Sequence, residues 1–282
     1  MILKGNMKID ENTKIIGRFH TIASPRGLNI YNPYFEETGT NAVYLLFHNK
    51  DPKVLVDGMR KLKLAGAITA GFESDTVLPT LLDELDANSK YIGKIGYLTY
   101  DNSKVVGHTQ GGQGMFKTIK GISPVTNKKF VIVGAGNICK GVLFEIKKSG
   151  LECEVSIYNR DLSKAKSLQN DYSFVKSVSE LSQLNQAHGD VLVNLTDIGG
   201  SEPDAIFTEE IINNFKAVVD VTFETENTNL ITLAKKLRLP VATGWDMFTN
   251  QGQVCLEGIL KEKVDFNILK KHVVAGLSEV VK

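Results

Sequence analysis

A chain of 282 residues, 42% apolar and 23% charged, has the balance of a globular protein and the length of one large or two ordinary domains. Its formal net charge of +1 gives no reason to expect a nucleic acid or an anionic membrane as partner. Apolar runs such as VLVNL at 191–195 are too short to span a bilayer, and the scattered histidines and cysteines have no metal-ligand or disulfide spacing, so neither a membrane nor a metal site is expected.

The first third alternates strand-like and helix-like segments. KIIG (14–17) reads as a strand, and IYNPYFEETG (30–39) as a helix closed by Gly39. AVYLLF (42–47) predicts a strand, and PKVLVDGMRKL (52–62) a helix with apolar spacing near 3.6. GAIT (66–69) predicts a short strand, and TVLPTLLDEL (76–85) a helix with Pro79 near its first turn. KIGYLTY (94–100) and KVVGH (104–108) flank the turn DNS, which predicts a hairpin. A glycine-rich crossover, VVGHTQGGQG (105–114), and GMFKTIKG (114–121) lead into a second run. There KKFVIVGAGNICKGVLFEIKKSGLECEVSIYNR (128–160) reads as strand, glycine turn, helix, strand. DVLVNLT (190–196), AVVDVTF (217–223) and LPVATG (239–244) each begin like a strand. The tail from Gln253 to Lys282 predicts two amphipathic helices broken near VDFN. The fold class expected is α/β: an N-terminal α/β domain of residues 1–110 with 253–282, and a doubly wound, mostly parallel domain of residues 111–252.

GAGNICKG (134–141) carries the sharpest chemistry. Gly134 permits a tight turn, and Gly136 lets backbone N–H groups approach a pyrophosphate at the helix start, beside Asn137 and Ile138. The third glycine of the usual fingerprint is absent; Lys140 stands near that slot and Gly141 follows. The second strand ends in Asn159-Arg160 with Lys164 one turn on. NAD binders usually place an acid there, whereas a guanidinium suits a 2′-phosphate, so NADP is the expected cofactor. Asp161 argues mildly the other way.

These motifs resemble the shikimate dehydrogenase family. GAG with its helix, NR followed by Lys164-Ala165, and DVLVNLTDIG (190–199), with Thr196 where the family strand ends in Asn-Ala-Thr, carry the likeness. GWDMFTNQG (244–252) resembles the family's closing motif, retaining Gly244, Met247, Gln251 and Gly252. Ser24-Pro25 with Asn32 and Phe35 resembles its Ser-Pro helix start, with about three extra residues. The resemblance implies a substrate domain, a Rossmann-type NADP domain, and C-terminal helices returning to the first domain.

The family's catalytic pair is a lysine and an aspartate. In AITAGFESD (67–75) Thr69 is retained, but Ala67, Gly71 and Glu73 stand for the motif's asparagine, proline and lysine. In HTQG (108–111) Gln110 replaces the aspartate. Gly96 replaces an asparagine, Phe223 a tyrosine, and the paired substrate serines are reduced to Ser24, with Ile22 beside it. An amide is no general acid or base near pH 7. Efficient shikimate oxidation is therefore not expected.

The reading is an NADP(H)-dependent oxidoreductase acting on a different small polar substrate in the interdomain cleft. The alternatives are a catalytically silent NADP(H)-binding sensor or scaffold and a residual shikimate or quinate dehydrogenase. Glu73, His108 and Gln110 occupy or adjoin the old catalytic positions, and Ser24, Thr69, Tyr97 and Gln251 are candidate substrate contacts. His108 reads equally as a polar strand-end residue, Glu73 as a solvated loop acid and Tyr97 as a packed aromatic. A negative Glu73 would suit an amine, imine or neutral substrate. MILKGNMKID resembles no secretory signal, so a cytoplasmic monomer or homodimer is expected, starting at Met1 or Met7.

Overall fold

The computed structural model describes residues 9–21, 25–70, 72, 76–200 and 206–278. The chain divides into two compact units, Met1–Gln110 with Gly252–Lys282, and Gly111–Gln251. Among the described residues no helix is long and apolar enough to cross a membrane.

The first unit holds β1 (Lys14–His20), α1 (Arg26–Thr38), β2 (Ala42–His48), α2 (Pro52–Leu62), β3 (Gly66–Ala70), β4 (Glu84–Leu85), α3 (Ala87–Ile92), β5 (Tyr97–Asp101) and β6 (Lys104–His108). Its sheet has the order β2-β1-β3-β5-β6-β4. β1 runs parallel to β2 and β3, while β5 is antiparallel to β3 and β6. α2 shows why these residues fold as they do. Asp51 caps it by accepting from Lys53 N at 2.8 Å, Pro52 opens it, and Leu55, Val56 and Met59 turn one face into a core with Phe19, Leu64 and Ala67. Asn102 and Ser103 both take positive φ, 48° and 64°, which matches the twist of the β5–β6 hairpin.

Two sequence expectations need correction here. The helix expected over 76–85 is a 3-10 turn, Leu78–Leu81, followed by the short strand β4, which pairs with β6. Asp83 is the reason: its carboxylate accepts from Val105 N at 2.7 Å and from Arg60 Nη2 at 3.0 Å, which holds the segment extended along β6. The next helix, α3, starts only where Asp86 caps it, accepting from Ser89 N at 2.7 Å. Further upstream, the helix expected from residue 30 begins at Arg26, while Gly39, at φ 67°, closes it as expected.

The second unit holds α4 (Gly111–Ile122), β7 (Lys128–Val133), α5 (Asn137–Ser149), β8 (Cys153–Asn159), α6 (Leu162–Asp171), β9 (Val175–Glu180), β10 (Val191–Asn194), α7 (Glu209–Ile212), β11 (Ala217–Asp220), α8 (Asn229–Lys236) and β12 (Val241–Ala242). Its sheet, β12-β11-β10-β7-β8-β9, is parallel throughout. β10 and β11 are buried at every residue, as strands covered on both faces must be. The order reverses between β7 and β10, and ligands of such doubly wound sheets sit outside the carboxyl ends of the strands at that reversal. The division between the units falls inside α9 (Gly244–Leu260). In the first unit α10 (Phe266–Ser278) packs on α1, where Asp265 N donates to Tyr34 Oη at 3.1 Å and Lys271 pairs with Glu37.

Candidate functional site

β7 delivers its backbone into the glycine turn. Gly134 has φ 106°, a conformation that L side chains rarely adopt, and a Cβ there would stand 2.8 Å from Thr196 Cγ2. Gly136 is the first residue before α5. No side chain caps the helix, and a Cβ at Gly136 would meet nothing within 4 Å. In contrast, the side chains of Asp51, Asp86, Asp161, Thr208 and Thr228 cap α2, α3, α6, α7 and α8. The first N–H groups of α5, at Asn137 and Ile138, therefore face open space with the positive end of the helix dipole behind them, which is an anion site.

The fingerprint's third position is resolved differently from the sequence expectation. Lys140 is not in the tight contact; Cys139 is buried, and Gly141 meets Gly112 of α4 so closely that a Cβ on Gly112 would overlap its backbone. The glycine at 141 is thus a helix-packing residue.

At the end of β8, Asn159 Oδ1 accepts from Ala135 N at 3.1 Å and its Nδ2 donates to Asp161 O at 2.7 Å. This amide ties the glycine turn to the start of α6. Asp161 is committed to Ser163, whose N and Oγ donate at 2.9 and 2.5 Å, and those bonds hold its carboxyl below the usual range. Lys164 lies 3.9 Å from it, and Arg160 is exposed beside them.

The carboxyl ends of β10 and β11 carry a closed polar network. Thr196 Oγ1 donates to Asn194 Oδ1 at 2.6 Å, and Asn194 Nδ2 donates to Asp220 Oδ1 at 3.0 Å. Thr228 Oγ1 and Thr222 N complete the shell of Asp220 at 2.7 and 3.1 Å. Burial pushes the Asp220 carboxyl up, and the hydrogen bonds from Thr228, Thr222 and Asn194 pull against it.

Beside that network is a pocket of about 270 Å³, lined by Ile138, Leu195, Val221, Phe223, Phe248 and Met247, with Asp197, Glu224 and Gln251 among its polar groups. Gly244 sits against the Thr222 carbonyl, leaving no room for a side chain. A more open hollow of about 620 Å³ lies at the other end of the same strands, by Lys128 and Cys153. It is away from the glycine turn, so the smaller pocket is the candidate site. Asp197, Glu224 and Phe248 were not anticipated from the sequence. Their one signal is position: Asp197 follows the β10 strand end, and Glu224 follows Phe223.

In the first unit, Ser24 and Glu73, with Ile22 and Gly71, lie outside the described residues. Thr69 is buried and donates its hydroxyl to Ile95 O at 2.9 Å. His108 is half-buried and engaged through both ring nitrogens: Nδ1 with Asp86 Oδ2 and Nε2 with Thr99 Oγ1, each at 2.9 Å. Its ring stacks on Tyr97 at 4.7 Å. Burial works to raise Asp86, but the hydrogen bonds from His108 and Ser89 outweigh it and hold the carboxyl below its usual range. Tyr97 is buried, and its hydroxyl faces Gly258 of α9. Burial drives its phenol far above the ordinary range. The structure thus joins His108, Tyr97, Thr99 and Asp86 in one packed cluster. The sequence gave no sign of Asp86, which sits 22 residues upstream of His108.

Gln110 fills a specific space. A Cβ added to Gly96 would overlap the Gln110 amide, and Gln110 Oε1 is buried without a hydrogen-bond partner among the described residues. The departures at 96 and 110 are therefore one packing exchange: the larger side chain at 110 occupies room that any side chain at 96 would need.

Comparison with known proteins fits these observations. Residues 117–222 match the family model described as shikimate / quinate 5-dehydrogenase. The NADP(+) shikimate dehydrogenase of Pyrococcus furiosus is 26% identical over 252 residues, covering 89% of this chain and 91% of that one. Among solved structures, a shikimate 5-dehydrogenase-like protein aligns with TM-score 0.82 and 21% identity over 95% of this chain and 99% of its own. A shikimate dehydrogenase in complex with NADP+ aligns with TM-score 0.79 and 24% identity over 96% and 98%.

Proposed function

The chain belongs to the shikimate dehydrogenase family, and from that membership we propose an NADP(H)-dependent oxidoreductase whose substrate is a small polar molecule other than shikimate. The observation that carries the cofactor is the glycine turn opening onto the uncapped start of α5. Gly134, Gly136, Asn137 and Ile138 would hold the pyrophosphate. Arg160 and Lys164 would hold the 2′-phosphate, with Asp161 removed from competition by its bonds to Ser163. The pocket by Met247, Gly244 and Thr196 would take the nicotinamide end, and Asp197 and Glu224 at it favour the cationic oxidised ring. NADPH supplies a hydride when bound; the chain's part is to orient it.

The change of substrate rests on the Gly96–Gln110 exchange, which puts an amide where the family pattern has an acid. A second reading, a silent NADP(H)-binding protein, is favoured by the engagement of His108 and Thr69 in internal hydrogen bonds.

Fluorescence titration should show NADPH binding more tightly than NADH. Arg160→Ala should weaken NADPH about tenfold, the loss of a charge-assisted phosphate contact, and leave NADH unchanged. Absorbance at the reduced cofactor's band is then followed with small aldehydes, keto acids and imines, and with shikimate and quinate in the reverse direction. Oxidation by a member of the first panel supports the enzyme; tight binding with no turnover supports the silent reading. Shikimate turnover at ordinary enzyme rates would overturn the change of substrate.

A further inference from the structure

β1 is an interior strand, flanked by β2 and β3, and reads KIIGRFH. Arg18 is a charge within it. Ile16 and Phe19 nearby are buried, and Arg18 Nε is itself shut off from solvent with no hydrogen-bond partner. Among the described residues no carboxylate pairs with it, although other cations of the same unit are matched: Lys14 with Glu262, Arg60 with Asp83, Lys271 with Glu37. Withdrawing a guanidinium from water without an anion is costly, on the order of several kcal/mol before relaxation. Packing gains nothing from such a choice over a methionine.

Two phenols share its surroundings. Tyr44 is fully buried, and its hydroxyl has no hydrogen-bond partner. Tyr31 is 5% exposed, with its ring 4.9 Å from that of Tyr44. Burial raises both phenols, Tyr44 to about 12, while the Arg18 charge acts on each in the opposite direction. Both therefore keep their protons near neutral pH and can donate. Tyr44 is held from behind: Asn32 Nδ2 donates to Tyr44 O at 3.0 Å and Tyr44 N donates to Asn32 Oδ1 at 2.7 Å. That clamp aims the phenol at the first turn of α1, where a Cβ on Gly27 would stand 2.8 Å from the hydroxyl. α1 starts without a side-chain cap among the described residues. Tyr31 Oη lies 3.1 Å from the place a Gly252 Cβ would take. The cluster thus gathers a cation, two hydroxyl donors and a helix start, with no anionic partner among the described residues.

We propose that Arg18, Tyr31 and Tyr44 form a subsite for a small carboxylate, and that the substrate of this chain carries that carboxylate. The occupant rests on the oxidoreductase reading; the anion site does not. The guanidinium and the two hydroxyls donate to the carboxylate oxygens, and the charge that is uncompensated in the free protein is neutralised on binding. This narrows the substrate from any small polar molecule to an acid, against the preference for an amine or neutral compound that Glu73 alone suggested.

The test is thermal unfolding of the full chain in sodium acetate, sodium chloride or acetamide, with ionic strength held constant by chloride. The wild-type midpoint should rise saturably with acetate and respond to neither of the others. In Arg18→Met the acetate response should vanish, while the midpoint in chloride equals or exceeds that of the wild type, because an unpaired buried charge has been removed. Tyr44→Phe should need about tenfold more acetate for the same rise, the expected loss of one charge-assisted hydrogen bond. An equal wild-type response to acetate and chloride would overturn the proposal. So would a persistent acetate response in Arg18→Met, or a lower midpoint of that variant in chloride, which would make the arginine structural. NADPH titration of the same samples separates the two readings. Failure of the wild type to bind NADPH would remove the oxidoreductase while leaving the acetate result standing.

Discussion

The two units finish their parallel strands in opposite ways. In the second, the polar side chains at the ends of β10 and β11 close on one another: Thr196, Asn194, Asp220 and Thr228 form a continuous chain of hydrogen bonds. What they leave open is backbone, at Gly136 and the start of α5. In the first, backbone is satisfied and side chains are left open: Arg18 Nε, Tyr44 Oη and Gln110 Oε1 are buried without hydrogen-bond partners. A ligand that every relative shares can be held by main chain and glycine. A ligand that differs must be held by side chains, and those are what have changed.

The largest expected effect breaks the second unit's side of this contrast. Gly134→Val places a β-branched residue at φ 106° and against Thr196, which should cost about 3 kcal/mol and abolish the fluorescence enhancement of NADPH. An unchanged unfolding midpoint with intact NADPH binding would show that the turn is not the tight junction described. The next effect sharpens the first unit's side. Gly96→Asn should lose about 1–3 kcal/mol by overlapping the Gln110 amide. Adding Gln110→Asp should return most of that loss, a coupling that a double-mutant cycle in urea measures directly. Additive losses would mean that positions 96 and 110 do not share one space.

The smallest effect concerns the cluster behind His108. Because the folded Asp86 carboxyl titrates below its unfolded value of about 3.9, its contribution is fully present above that pH and is lost as pH falls through the folded value. Asp86→Asn should therefore be less stable by about 1 kcal/mol at pH 7, with the gap closing below pH 3.9 in urea titrations at stepped pH. A gap that persists in acid would assign the loss to packing rather than to the carboxylate.

Much of the architecture was legible in the chain because local physics determined it. α2 matches the expected 52–62 because a capping aspartate, an N-terminal proline and a 3.6-residue stripe coincide there. The hairpin at 101–104 was legible from its turn residues. The segment 76–85 was not, since its apolar spacing suits a helix and a distant partner, Val105 N, draws Asp83 into an extended path. The site divides in the same manner. Gly134 and Gly136 carry their meaning in their own backbone freedom. His108 and Gln110 take theirs from Asp86, Thr99 and Gly96, which lie 22, 9 and 14 residues away and which no local pattern connects to them.

The fit between Gly96 and Gln110 also sets a direction on descent. From the present sequence, an asparagine at 96 meets the glutamine at once, whereas an aspartate at 110 merely vacates space. A lineage regaining the acid would have to pass first through a half-empty pocket and only then refill position 96. The reverse order is barred, so the exchange acts as a ratchet whose pawl is a single amide.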